Sequence, residues 1–200
     1  MNSRIRAVFF LLTFLAVLVG CSNQPSSSDA KKDAEEVARA DIPSEAAFSV
    51  ADLVRENGWD EGGEYKIHFT YNLVTTVDYP NLVVALLKKS VVEIKGMPKA
   101  DRSALVVQVG LTSMLSGMSS DAPDVKAELD SYKNFPAIVD YIRGNKDFQD
   151  DSELLVSATY LTTNVLRDYN IRQGTPASTK IPRQVTFTYR KTEKGWQKIS

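Results

Sequence analysis

Apolar and polar positions alternate most regularly between Tyr65 and Leu73. Tyr65, Ile67, Phe69, Tyr71 and Leu73 take one phase, and Lys66, His68, Thr70 and Asn72 take the other. Successive side chains of a strand point to opposite faces, so this pattern predicts a half-buried strand. Val185, Phe187 and Tyr189 repeat it against Thr186, Thr188 and Arg190. Phe48, Val50 and Val54 predict an earlier strand, and Trp196 to Ile199 a short final one. The stretch from Leu154 to Val165 reads as a further strand because Val, Thr, Tyr and Leu dominate it. Asn57-Gly58, Gly62-Gly63 and Glu193-Lys194-Gly195 are expected turns.

The period changes between these runs. Val83, Leu86 or Leu87, Val91 and Ile94 recur at helical spacing, behind Pro80 and ahead of Gly96 and Pro98. Asp101 is a candidate cap for a second helix, whose apolar stripe is Val107, Leu111, Met114, Leu115 and Met118. A third helix is expected from Ser120 or Asp121 to Tyr132, and a short last one from Ile138 to Ile142. Strands, then helices, then strands predict an α+β fold. The expected form is an antiparallel sheet of about four to five strands with a three- to four-helix insertion packed on one face. Residues 45–200 are expected to form this single globular domain.

The amino-terminal stretch changes the picture. Arg4 and Arg6 precede an almost unbroken apolar run from Ala7 to Val19. That run falls short of the ~20 residues a spanning helix needs, and its charge pattern is that of an export signal over residues 1–20. Leu18-Val19-Gly20-Cys21 then resembles the lipobox of bacterial lipoprotein precursors. The resemblance covers about the first 24 residues. It implies cleavage between Gly20 and Cys21, a diacylglyceryl group on the Cys21 thiol, and fatty acylation of the new amino terminus. A lipid bilayer is therefore an expected partner through Cys21. Ser22 follows the cysteine, where the family associates Asp with inner-membrane retention, which implies the outer membrane, facing the periplasm. Residues 21–44 hold few apolar side chains and read as a lipidated flexible tether, with a transient helix at most over Lys31 to Ala40.

Composition narrows the chemistry. Cys21 is the only cysteine, which excludes an intramolecular disulfide. Residues 1–20 carry two arginines and no acid, so without them the formal net charge moves from −1 to −3. No basic stripe marks a nucleic-acid partner. His68, the only histidine, lies on the polar phase of a strand and reads as solvated, which leaves neither a Ser-His-Asp unit nor a zinc site. Asp147, Asp150, Asp151 and Glu153 form an acidic run without EF-hand spacing and read as a solvated loop. Gly110, Ser113, Gly117 and Ser120 line one side of the second helix and are expected to pack closely on another helix. No cofactor, metal or catalytic residue is nominated.

The candidate binding surface is Trp59, Trp196, Met114 and Met118. Either tryptophan serves as a core anchor or as a recognition aromatic, and the methionines offer an adaptable apolar surface. The functional expectation is a membrane-anchored cell-envelope lipoprotein working as a non-enzymatic binding module with an envelope protein partner. An alternative is a carrier or sensor of a small apolar ligand in a closed pocket between sheet and helices. A third is a cell-wall enzyme with facing carboxylates.

Overall fold

The computed structural model describes residues 24–115 and 124–200. The elements run α1 (Ser27–Ala40), β1 (Phe48–Glu61), β2 (Glu64–Thr75), α2 (Tyr79–Gly96), α3 (Lys99–Leu115) and α4 (Val125–Tyr132). They continue with α5 (Pro136–Gly144), α6 (Lys146–Asp150), α7 (Ser152–Asp168), β3 (Lys180–Thr192) and β4 (Gly195–Lys198). The fold is α+β, with one antiparallel four-stranded sheet in the order β1-β2-β3-β4. In the β3–β4 hairpin Lys191 faces Trp196 and Thr192 faces Gly195. The insertion between β2 and β3 contains six helices among the described residues, more than the three or four expected.

Two compact units share these elements. The first comprises the segment ending at Ala40, Asp52–Tyr71 and Arg183–Ser200; the second comprises Asp41–Ala51 and Asn72–Pro182. β1, β2 and β3 each run from one unit into the other.

In the first unit the predicted alternation holds. Tyr65, Ile67 and Phe69 of β2 join Phe187 and Tyr189 of β3 in one buried cluster. The cover over this cluster corrects the tether expectation. Ala30 and Ala34 of α1 belong to the same cluster, and Val37 packs against it. Ala30, Ala34 and Ala38 recur every four residues, so α1 presents a smooth face that lets its backbone approach the aromatic rings. Ser26 starts the helix: its Oγ accepts from the Asp29 N–H at 3.2 Å, and Asp29 puts a negative charge in the first turn. Tyr189 donates to the Asp33 carboxylate at 2.6 Å, and Arg55 donates to Ser27 Oγ at 3.2 Å. Burial against a sheet, rather than intrinsic propensity, holds this polar helix.

A second correction concerns β1. Asn57-Gly58 is not a turn; β1 continues through it to Glu61, and Gly62 and Gly63 make the turn at φ +64° and +86°. Only glycine enters that left-handed region freely.

In the second unit, α7 is the hub. It packs against α2, α3, α4 and α6. The strand expected over Leu154 to Val165 is therefore overturned, since these residues lie within α7. Asp151 caps it, accepting from the Leu154 N–H at 3.0 Å. Thr159 and Thr163 direct their hydroxyls to the carbonyls of Leu155 and Thr159, both at 2.8 Å. That satisfies the hydroxyls inside a helix despite their low helix propensity. The buried positions Leu154, Ala158, Thr162 and Leu166 recur every four residues, a stripe that the β-branched content conceals.

Candidate functional site

Two surfaces collect the sequence-nominated residues that are described, one in each unit. Cys21, Gly20 and Met118 lie outside the described residues, as do Gly117 and Ser120.

In the first unit, Trp59 and Trp196 line one concavity of about 570 Å³ although they lie far apart in sequence. Each strand contributes: Trp59 and Asp60 from β1, Tyr65 from β2, Lys191 from β3 and Trp196 from β4, with Gln24 from the segment before α1. The two indoles differ. Trp196 packs against the buried cluster and meets Tyr65 edge to face, with ring centroids 6.0 Å apart. Trp59 is 39% exposed and donates its Nε1–H to Glu61 at 3.4 Å. Glu61 also pairs with Lys66 at 2.5 Å, and the Lys66 hydrogen bond, followed by that of Trp59, holds its carboxyl below the usual value. Trp196 is thus mainly an anchor, and Trp59 is the presented aromatic.

Gly58 makes this arrangement possible. A Cβ there would stand 2.8 Å from the Tyr65 ring and 2.9 Å from its hydroxyl. Gly58, expected in a turn, lies inside β1 and admits the Tyr65 ring beside the strand.

In the second unit, α3 presents the other surface. Among its described side chains Leu105 and Val109 are buried, and Gln108 donates to the Tyr160 hydroxyl at 3.1 Å. Of the expected apolar stripe, Val107, Leu111 and Met114 face out and are 61%, 56% and 77% exposed. Ala100 and Ala104 extend this exposed line, so apolar positions recur at steps of four, three, four and three. Such spacing forms one continuous seam on a helix. The small-residue expectation also changes, because Gly110 is exposed and a Cβ on it would meet open space.

A further concavity of about 460 Å³ in this unit lies among Lys95, Lys99, Arg102, Asp151 and Glu153, with Ile94, Val106 and Leu154 between them. Its mixed, open lining differs from the closed apolar pocket expected for a ligand carrier. The acidic run nearby is absorbed by local tasks. Asp147 pairs with Lys95 at 2.6 Å, Asp151 caps α7, and Glu153 sits in its first turn. Among the described residues no group of three or more His, Cys, Asp or Glu is placed to hold a metal. His68 Nδ1 lies 3.0 Å from Thr186 Oγ1 across the strands. No described helix is long and apolar enough to cross a membrane. No protein-family model matches the chain, and neither the curated proteins nor the solved structures hold a match.

Proposed function

We propose that the chain is a lipid-anchored protein of the cell envelope that works as a non-enzymatic binding module. Its lipid would be carried on Cys21, on the outer membrane facing the periplasm. Its partner would be another envelope protein. The observation that carries the binding role is the exposed seam of α3, formed by Val107, Leu111 and Met114. Soluble surfaces rarely leave large apolar side chains contiguous, and where they do the patch marks an interaction site. A helix that offers apolar side chains at steps of three and four suits a partner groove or a second helix. Met114 adds an unbranched, polarizable side chain that adapts to such a groove.

Two measurements test the two halves of this reading. Mass spectrometry of the mature chain is expected to find Cys21 as the first residue and acylated, and Cys21→Ala is expected to leave an unprocessed, unlipidated precursor. Retention of normal membrane attachment by Cys21→Ala would refute the anchor. For the seam, a photo-crosslinker at Leu111 in intact cells is expected to give one discrete adduct. Val107→Glu should weaken that adduct by at least roughly tenfold, as loss of a central contact does. An adduct indifferent to Val107→Glu would remove the seam from the binding surface.

A further inference from the structure

The concavity of Trp59 and Trp196 has an unusual neighbour in sequence. Gln24, which lines it, stands three residues after Cys21. An extended chain advances at most ~3.6 Å per residue, so the Cα of Cys21 lies within about 11 Å of the Cα of Gln24. A diacylglyceryl group on Cys21 places the sulfur at the boundary between acyl chains and headgroups. The headgroup layer is only about 5–7 Å thick on each side of the hydrocarbon core. Anything tethered this closely is confined to that layer or the water directly above it.

We propose that the aromatic face of the first unit rests on the bilayer that the lipid anchors it to, with Trp59 seated among zwitterionic phospholipid headgroups. The proposal rests on the reading of Cys21 as the lipidated residue. The side chains at the face fit that occupant. Indole combines an apolar body with one polar N–H and collects at membrane–water interfaces for that reason. Trp59 is the more exposed of the two indoles, and its N–H bond to Glu61 is long at 3.4 Å. Charge at the face is mixed, since Asp60 and Lys191 both line the concavity. Anionic lipid would call for a cluster of cations without neutralising acids. A field of alternating sign matches the phosphate and ammonium of a zwitterionic headgroup instead.

The chain contains only two tryptophans, Trp59 and Trp196, so emission excited selectively from tryptophan reports this face. The experiment uses the mature lipidated protein in phosphatidylcholine vesicles, with and without bromine on the upper acyl-chain carbons. Bromine is expected to quench the emission, and Trp59→Phe to remove most of that quenching. Acrylamide quenching is expected to be roughly twofold lower in the vesicles than for the unlipidated chain lacking residues 1–20 in detergent-free solution, as an interfacial indole requires. Protein that co-floats with vesicles but shows no bromine quenching overturns this proposal and leaves the anchor standing. Protein that fails to float, with an unmodified thiol at position 21, overturns the anchor reading and this proposal with it. An emission change caused by soluble cell-wall glycan, and not by lipid, would assign the face to a sugar and overturn the proposal as well.

Discussion

Gly58 shows how one residue sets a surface. Its φ is not left-handed, so its value lies in space and not in backbone freedom. Gly58→Ala would force the Tyr65 ring away, and that ring is 6% exposed and already packed on Trp196. The expected cost is about 1–3 kcal/mol of stability in urea titrations, with a changed near-ultraviolet tryptophan signal. An unchanged midpoint and spectrum would show that Tyr65 moves freely. Tyr132 makes the opposite case. It is 1% exposed and its hydroxyl meets no hydrogen-bond partner among the described residues. Glu128 and Thr163 lie near enough to act on its ionisation, but neither reaches hydrogen-bond geometry. A buried hydroxyl without a partner has lost its water for nothing, so Tyr132→Phe is expected to be neutral or stabilising by up to about 1 kcal/mol. Marked destabilisation would reveal a partner.

Among elements, α1 and α7 explain where sequence patterning misleads. The α1 stretch is mostly charged or small, and an apolarity count reads it as spacer. Its legible signals were Ser26 three positions before Asp29, and alanines at 30, 34 and 38. Alanine weighs little on a hydropathy scale, yet a helix lying close on aromatic rings needs that small residue. Ala34→Arg is therefore expected to cost at least about 2 kcal/mol and to speed hydrogen exchange in β2 and β3, because no space exists for the side chain at a fully buried site. Retained protection in both strands would restore the spacer reading. In α7 the Val, Thr and Tyr content favoured a strand, while Asp151 followed three residues later by Leu154 was a helix start. Tertiary packing of a four-residue stripe outweighed local preference there. For α3 the apolar period marks a helix, and Val107, Leu111 and Met114 of its stripe are exposed. Periodicity identifies a stripe; only the neighbours of a helix decide which stripe is covered.

At the scale of the molecule, tyrosines couple stability to pH in both units. Tyr79 and Tyr132 in the second unit, and Tyr189 in the first, are held above the ordinary tyrosine value by burial. A carboxylate adds to this, Glu128 for the first two and Asp33 for the third. The folded chain keeps these protons after the unfolded chain, with values near ~10, has released them. Their contribution is complete below about pH 10 and is lost as pH rises from there through the folded-state values. Denaturation midpoints are expected to fall as pH rises from about 10 to 12, and Tyr189→Phe to flatten part of that fall. A midpoint constant over this window would contradict the assignment.

The sequence alone determined the α+β class, because period two and period four-and-three mark strands and helices wherever side chains alternate between water and protein. It also carries Leu18-Val19-Gly20-Cys21, which resembles a lipobox, a contiguous pattern that needs no folding to be read. Only the tertiary structure decided that α1 covers the sheet, that Trp59 and Trp196 meet at one concavity, and that the α3 seam faces outward. Each of these depends on which distant surfaces come together. Pattern along one segment states that a face wants cover but not what supplies it.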